Sequence, residues 1–355
     1  MTSNQPLKVG IAGYGIVGKR RRGFIDALPT LETVAICDKA LAGNDTLEDG
    51  LKCFATYQEL LNEDLDVLFV AMSNDIAAEV TMAGLNRALH VFCEKPPGRN
   101  VEDIVNVIAC EKRHPDLKLK YGFNHRYHLS ILDALEVIKS GELGEVINLR
   151  GVYGKSRVIT FDQTSWRTQR NLAGGGVLLD QGIHMVDLLR LFAGEFEDIH
   201  SFVSNNVWNH DVEDNAYAIM RTQDGKVAML HSSASQWRHR FGLEVALTKG
   251  SLNLSGILSG SKSYGEETLS ILKTSGSDTA DLDEEVRNYT HDPSWAEEIS
   301  EFAEAIAEDM PVTNGSSDDA LKTMELVYRI YCADADWKAR WSLGSETRDK
   351  QLKLR

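Results

Sequence analysis

A glycine-rich turn close to the N-terminus most restricts the folds that this chain can adopt. The apolar run Leu7–Ala12 leads directly into Gly13, Gly15 and Gly18, spaced as G-x-G-x-x-G, and a helical stretch follows. In such a turn the first glycine allows the tight reversal and the second lets the backbone approach a pyrophosphate. The third lets the helix pack closely on the strand. The pattern therefore predicts a strand, a turn and a helix that together bind a dinucleotide.

An acidic residue follows at the spacing that such a site needs. Asp38 ends the apolar run Val34–Cys37, about 20 residues beyond the turn, where its carboxylate would accept hydrogen bonds from ribose hydroxyls. Because a carboxylate repels a 2′-phosphate, Asp38 favours NAD over NADP. Lys39 and the run Arg20–Arg22 keep NADP as the less favoured alternative, although we interpret the arginines as a solvated helix face. An S-adenosylmethionine enzyme could share these features, so they do not by themselves predict redox chemistry.

The periodicity of apolar residues changes near residue 125. Before it, runs such as Asp66–Ala71 and His90–Cys93 alternate with helical stretches, which is typical of strands buried on both faces of a parallel, doubly wound sheet. Beyond it, hairpin signals at Asp224–Gly225 and Lys249–Gly250 indicate an α+β region with a largely antiparallel sheet. We expect an α/β protein with one domain over residues 1–125 and a second over 126–355, whose last helix could pack back on the first domain.

The sequence also predicts the structure of two further segments. We expect one helix over Gly174–Ala193, because its apolar residues recur at helical spacing. Thr274–Glu285 is polar and acidic, and we interpret it as a solvated loop.

The charge balance argues against several classes of partner. The chain has 38 Lys and Arg against 53 Asp and Glu, a formal net charge of −15, which argues against nucleic acid or an anionic membrane as the main partner. No apolar run approaches the roughly 18 residues that span a bilayer, and no signal peptide is recognisable. The five cysteines are isolated, and the histidines lack ligand spacing, so we predict no disulfide framework and no metal. We expect a cytoplasmic protein.

A lysine follows the predicted strand His90–Cys93, in the sequence Glu94-Lys95-Pro96. Ligands of open α/β sheets bind beyond the carboxyl ends of the strands. Pro96 cannot continue a strand ladder, so it turns the chain outward there. Lys95 is therefore a candidate to contact both a cofactor and a substrate hydroxyl, the alternative being a surface lysine before a turn.

A second group of polar residues follows three consecutive glycines at 174–176. Asp180, His184 and Asp187 are spaced i, i+4 and i+7, which places them on one face of a helix. A histidine beside a carboxylate in a cleft is typical of an acid/base site. The alternative is an exposed polar stripe.

In combination, these motifs resemble the Gfo/Idh/MocA oxidoreductases, a family named for glucose–fructose oxidoreductase and inositol dehydrogenase. The resemblance covers nearly the whole chain and includes Gly122–Tyr127 (Gly-Phe-Asn-His-Arg-Tyr) and Ser140–Gly144 (Ser-Gly-Glu-Leu-Gly). It implies a Rossmann domain, a second domain built on an open and mostly antiparallel sheet, and dimers or tetramers formed through the outer face of that sheet. One departure is Met72–Ala77, where the family often has Thr-Pro-Asn-x-x-His and this chain lacks both the proline and the histidine.

The resemblance also implies a reaction. We expect an NAD(P)-dependent dehydrogenase or reductase that moves a hydride between nicotinamide and a hydroxyl or keto carbon of a sugar, sugar derivative or polyol. His184 would exchange the hydroxyl proton, Lys95 would stabilise the oxygen, and Asp180 would orient His184 or bind a neighbouring hydroxyl. The further candidate substrate contacts are Arg126, Tyr127, Trp166 and Arg167. The remaining candidate cofactor contacts are Tyr14, Ile16, Val17, Lys39, Ser73, Asn74, Glu94 and Lys95.

Two other readings stay open. One is an NAD-dependent glycosidase that oxidises its substrate only transiently, so that no NADH accumulates. The other is a regulator that senses NAD(H) without catalysis.

Overall fold

The computed structural model describes residues 5–42, 46–156, 165–259, 263–274 and 282–344. These residues form two compact units. The first unit contains the described residues up to Phe123 together with Trp295–Lys322, and the second contains the described residues between Asn124 and Ser294 and those from Thr323 onward.

A six-stranded parallel sheet forms the centre of the first unit, in the order β3-β2-β1-β4-β5-β6. Its strands are β1 (Leu7–Ala12), β2 (Leu31–Cys37), β3 (Lys52–Phe54), β4 (Val67–Val70), β5 (His90–Glu94) and β6 (Leu119–Gly122). The helices between them are α1 (Ile16–Ile25), α2 (Tyr57–Leu60), α3 (Asn74–Asn86) and α4 (Val101–Glu111). This arrangement confirms the predicted doubly wound, Rossmann-like sheet.

Buried aromatic rings join this sheet to a helix from late in the chain. Phe69 on β4 and Phe92 on β5 stack with ring centroids 4.9 Å apart. Phe302 packs edge-on against both rings, at 6.2 and 5.7 Å. Since burial of one Phe side chain stabilises a fold by about 1.5–3 kcal/mol, this contact makes the late helix part of the core of the first unit.

The second unit is built on an eight-stranded sheet in the order β14-β13-β12-β11-β7-β10-β9-β8. Only the β7–β10 pair is parallel, which confirms the mostly antiparallel sheet. The strands are β7 (Val146–Ser156), β8 (Phe196–Ser204), β9 (Asn215–Thr222), β10 (Val227–Gln236), β11 (Arg240–Leu247), β12 (Gly250–Ser255), β13 (Glu267–Thr274) and β14 (Leu282–Tyr289). The remaining helices of the chain are α5 (Leu129–Ser140), α6 (Arg170–Ala173), α7 (Ile183–Ala193), α8 (Ser294–Ala307), α9 (Ser317–Ala333) and α10 (Ala335–Arg340).

Two expectations were wrong. Of the predicted loop Thr274–Glu285, Thr274 ends β13 and Leu282–Glu285 begin β14, while residues 275–281 lie outside the described part of the chain. β14 pairs with β13 at the edge of the sheet, and charged, exposed edge strands lack the apolar alternation that identifies a strand. The helix predicted over Gly174–Ala193 begins only at Val177, because Gly174 has a φ of +82° and residues 174–176 form a bend; its first part, Leu178–Gly182, is a π-helical turn that continues into α7. Within the described residues, no helix is long and apolar enough to cross a membrane.

Candidate active site

The glycine turn of the first unit leaves its backbone accessible at the start of α1. Gly13 has a φ of +94°, and a Cβ at Gly18 would lie only 2.0 Å from the carbonyl oxygen of Gly13. Gly15 is the N-cap of α1, and a Cβ placed there would meet nothing within 4 Å. Gly13 and Gly18 therefore have no room for a side chain, whereas the turn is open at Gly15. These residues fit the pyrophosphate of a dinucleotide.

Asp38 lies beside this turn. One of its carboxylate oxygens accepts the N–H of Tyr14 at 2.9 Å, and the other accepts the N–H of Ala40 at 2.9 Å. The carboxylate thus joins the end of β2 to the glycine turn. Lys39, the next residue, is exposed.

The interpretation of the arginine run as a solvated face was wrong for Arg21. Its side chain is 1% exposed; Nε lies 2.5 Å from Glu94 Oε1, and a terminal nitrogen lies 2.7 Å from Glu298 Oε2. The guanidinium also packs over the rings of Phe92 and Trp295, at 4.4 and 4.3 Å. The helix α1 therefore directs Arg21 toward the ends of β5 and β6 rather than toward solvent.

The neighbouring Arg22 is also engaged. It donates to the hydroxyl of Tyr14 at 3.0 Å and to Asp49 at 2.6 Å. An arginine held in this way has fewer donors left for a 2′-phosphate.

Lys95 follows the last residue of β5, and Glu94 before it is held by Arg21. The second carboxyl group bound to Arg21 belongs to Glu298; burial raises its pKa to about 7, although Arg21 acts against that shift. The loop that carries Lys95 thus begins at a buried ion-pair network.

The remaining cofactor candidates also lie in the first unit. Ser73 is the N-cap of α3, with its hydroxyl 2.5 Å from Asp75 Oδ1, and Asn74 is buried. Ile16 is exposed at the start of α1, and Val17 is half-buried.

His184 lies in the second unit, at the start of α7, and is buried. Its ring stacks on that of His125, with centroids 3.7 Å apart and planes 14° from parallel. His125 was not among the predicted site residues, because nothing in the spacing of the sequence relates it to His184.

Asp180 lies in the π-helical turn before α7, with two cations around it. Its Oδ2 accepts from Lys155 at 3.3 Å, and its Oδ1 lies 3.5 Å from Nε of Arg167. The guanidinium of Arg167 packs over the ring of Trp166 at 4.4 Å. The structure therefore brings Asp180, Trp166 and Arg167 together. It adds Lys155, which the alternation along β7 places on the same face as Tyr153.

Arg126 and Asp187 form a separate, buried ion pair. Nε and a terminal nitrogen of Arg126 each lie 2.7 Å from an oxygen of Asp187, and Thr323 donates to the same carboxylate at 3.0 Å. Tyr127, next to Arg126, is also buried. Both oxygens of Asp187 are thus bound by Arg126. The spacing of the sequence placed Asp187 on the same helix face as His184, and in the structure its carboxylate stabilises the interior of the second unit.

A buried glutamate that the sequence did not indicate holds the glycine segment. Glu213 accepts the N–H of Gly176 at 2.7 Å, the N–H of Leu178 at 2.9 Å and the hydroxyl of Tyr331 at 2.7 Å. A Cβ at Gly176 would lie 2.1 Å from the carbonyl oxygen of Glu213. Glu213 therefore fixes the segment that leads into Asp180 and His184. Among the described residues, no group of three or more His, Cys, Asp or Glu could hold a metal ion.

Two family models match the chain. Residues 7–123 match the oxidoreductase family with an NAD-binding Rossmann fold, and residues 131–253 match the GFO/IDH/MocA C-terminal domain. A curated relative is inositol 2-dehydrogenase of Salmonella typhimurium, 32% identical over 151 residues, which are 41% of this chain and 45% of that protein. The match thus spans less than half the length of that relative.

Solved structures share the fold. Levoglucosan dehydrogenase in complex with NADH and levoglucosan superposes with a TM-score of 0.81 at 21% identity, covering 94% of this chain and 98% of that one. A variant of KijD10, a 3-ketoreductase from Actinomadura kijaniata in complex with TDP-benzene and NADP, gives a TM-score of 0.79 at 22% identity, covering 93% and 98%.

Proposed function

Because this chain belongs to the GFO/IDH/MocA family of oxidoreductases, we propose that it is an NAD(P)-dependent dehydrogenase or reductase. Its substrate would be a sugar, a sugar derivative or a polyol that reacts at one hydroxyl or keto carbon. The observation that carries the proposal is the polar group around Asp180 and His184, in a chain that also has the glycine turn beside Asp38. The names of the relatives support the substrate class.

Different residues of the chain would bind the cofactor, transfer the proton and bind the substrate. The glycine turn and Asp38 would hold the dinucleotide, which supplies the acceptor or donor of the hydride. His184 would take the proton of the substrate hydroxyl during oxidation and return it during reduction. Lys95 would stabilise the negative charge that develops on the same oxygen. Asp180, with Lys155 and Arg167, would bind the neighbouring hydroxyls.

Asp38 supports NAD as the preferred dinucleotide, with NADP less favoured. Its carboxylate would accept from the ribose hydroxyls and would repel a 2′-phosphate. Arg22, which could offset that repulsion, already binds Asp49 and Tyr14.

We also propose that the enzyme is a homodimer or homotetramer assembled through the outer face of the eight-stranded sheet. Phe202 on β8 is 78% exposed and lies opposite Tyr217 on β9. Ile219 on β9 is 52% exposed and lies opposite Met229 on β10, which is also exposed. These four side chains form a continuous apolar patch of the kind that a second copy covers.

The test combines binding and turnover. Purified protein is titrated with NAD, NADH, NADP and NADPH, and polyols, sugars and nucleotide sugars are then screened for absorbance of the reduced nicotinamide. We expect tight NAD(H) binding and a redox signal with one sugar class. His184→Asn should then lower kcat by about 10²–10⁴-fold while the Kd for NADH stays unchanged.

The other outcomes are equally informative. Consumption of a glycoside without accumulation of NADH would replace the dehydrogenase by a glycosidase. Binding of NAD(H) without turnover would leave a sensor, and the absence of dinucleotide binding would overturn the proposal at its first step.

A further inference from the structure

One arginine in the interior of the first unit is bound directly to the strand end that precedes Lys95. Nε of Arg21 lies 2.5 Å from Oε1 of Glu94, the last residue of β5, and a terminal nitrogen lies 2.7 Å from Oε2 of Glu298 on α8. The Arg21 side chain is 1% exposed, so these carboxylates rather than solvent balance its charge. Two helices that are far apart in the sequence, α1 and α8, are thus tied to the residue immediately before Lys95.

The packing of the core does not by itself account for this arginine. Within the described part of the chain, the second terminal nitrogen of Arg21 and Oε1 of Glu298 are buried and have no hydrogen-bond partner. Buried polar atoms are normally paired, and each unpaired one destabilises the fold. Apolar side chains of similar volume often replace a buried ion pair without loss of stability. We therefore looked for a role of the Arg21–Glu94 pair beyond stability.

The neighbouring strand leaves room for this pair. Gly122 on β6 lies opposite Glu94 in the ladder between β5 and β6. A Cβ at Gly122 would lie 3.0 Å from a terminal nitrogen of Arg21 and 3.1 Å from Oε2 of Glu94. A side chain at this position would therefore press against both partners, so the place of the ion pair depends on β6 as well as on β5 and α1.

Lys95 lies between two anchored segments of the chain, and it is half-buried. On its N-terminal side is the ion-paired Glu94. On its C-terminal side residues 96–98 are buried, and the N–H of Arg99 donates to Oδ2 of Asp103 at 2.8 Å. The backbone position of Lys95 therefore depends on both anchors, of which the first is the buried ion pair.

We propose that Arg21 and Glu94 are positioning residues for Lys95. Their ion pair fixes the end of β5, and the fixed strand end holds the ammonium group of Lys95 where negative charge develops on the substrate oxygen. Arg21 and Glu94 act on the reaction through the position of that ammonium group. This role rests on the proposed function, in which Lys95 stabilises the oxygen.

Glu94→Gln tests the ion pair with little damage to the core. The amide keeps the shape of the side chain but removes the charge that binds Arg21. Burial raises the pKa of Glu298, and the charge of Glu94 adds to that shift. Removal of the Glu94 charge therefore favours the ionised form of Glu298, which remains to balance Arg21, so the variant should fold.

The rate of hydride transfer is measured in a single turnover with the sugar that the substrate screen identifies. Glu94→Gln should lower this rate by about 10–100-fold, because a displacement of about 1 Å at a reacting group can cost that much, while the Kd for NADH stays unchanged. Lys95→Met should lower the rate by about 10²–10³-fold. In the double variant the rate should match that of Lys95→Met within about twofold, because no ammonium group remains to be positioned.

The matched control is Lys120→Met. Lys120 on β6 is also 1% exposed, and it binds Glu301 on α8 at 2.7 Å. Its loss should lower the melting temperature, as Glu94→Gln does, but it should leave the rate of hydride transfer unchanged. A purely structural role of the Arg21–Glu94 pair would make the losses of rate in Glu94→Gln and Lys95→Met multiply in the double variant. That result, or an unchanged rate in Glu94→Gln, overturns the proposal.

Amide hydrogen exchange gives a second readout, which needs no substrate. The peptide covering residues 94–99 should exchange faster in Glu94→Gln than in the unmodified protein, and it should be unaffected in Lys120→Met. Gly122→Ala presses on the same ion pair without removing a charge, so it should accelerate the same peptide even if Glu94→Gln fails to fold. Unchanged exchange of this peptide would contradict the inference and leave the dehydrogenase proposal intact. Absence of any redox turnover would remove the proposed function, while the exchange would still report whether the ion pair anchors Lys95.

Discussion

Arg126 and Asp187 form a two-point ion pair inside the second unit, each guanidinium donor lying 2.7 Å from its own carboxylate oxygen. Both side chains are buried, so neither charge has solvent as an alternative partner. Two parallel hydrogen bonds between charged groups make a strong ion pair. Removal of one partner is costly, because it leaves the other charge buried without compensation.

We therefore expect Arg126→Met to lower the free energy of unfolding by about 3–5 kcal/mol, measured by urea denaturation. The matched control is Arg221→Met, which breaks an exposed ion pair with Asp198 on the eight-stranded sheet and should change the free energy of unfolding much less, because solvent screens both charges. Equal losses of unfolding free energy in the two variants would show that burial of the ion pair does not determine how much its removal destabilises the protein.

Two glycines of α1 should respond in opposite ways to alanine. Gly18→Ala places a Cβ 2.0 Å from the carbonyl of Gly13 and should displace the turn, weakening NADH binding about tenfold or more in fluorescence titration. Gly23→Ala, on the exposed face of the same helix, meets nothing within 4 Å and should stabilise the protein by about 0.5–1 kcal/mol with an unchanged Kd. Normal NADH affinity in Gly18→Ala would contradict the assigned role of the turn.

The stability of the first unit should depend on pH through Glu298. Burial raises its pKa to about 7 from an ordinary value of 4.5, with Arg21 opposing the shift. Between these values the folded chain keeps a proton that the unfolded chain has lost. The contribution of Glu298 to stability is therefore complete below pH 4.5 and is lost as the pH rises through about 7.

Glu298→Gln should flatten this dependence. The unfolding free energy of the unmodified protein should fall more steeply than that of the variant between about pH 5 and about pH 7, by up to about 1.4 kcal/mol per pH unit. Glu297→Gln, at the exposed neighbouring position on α8, should retain the steeper slope. Parallel slopes for all three proteins would refute the titration of Glu298 in this range.

The apolar patch on the outer face of the sheet should control assembly. Phe202→Glu introduces a charge where a second copy would bury a ring, so light scattering should show a smaller mass than for the unmodified protein. Leu132→Glu, on α5 rather than on the sheet, should leave the mass unchanged. A monomeric unmodified protein would exclude the proposed interface.

Local patterns were sufficient to predict much of this structure. Val67–Val70 forms a buried strand because four apolar residues in a row suit only a sheet covered on both faces, and Asp38 lies beside the glycine turn because both follow strands of one parallel sheet. The burial of Arg21 could not be predicted, since its partners Glu94 and Glu298 are 73 and 277 residues away along the chain. The stack of His125 on His184 likewise depends on how a short turn and a helix meet, for which the sequence carries no periodic signal.

The return of residues 295–322 to the first unit determines when that unit can be completed during synthesis. Phe302 packs against Phe69 and Phe92, so the aromatic core of the unit is unfinished until the ribosome has made most of the chain. A fragment ending near residue 123 would contain every strand of the parallel sheet and the glycine turn, yet it would expose two phenylalanine rings where α8 belongs. It would therefore be prone to aggregation, and an attempt to express the nucleotide-binding unit alone should attach Trp295–Lys322 through a linker.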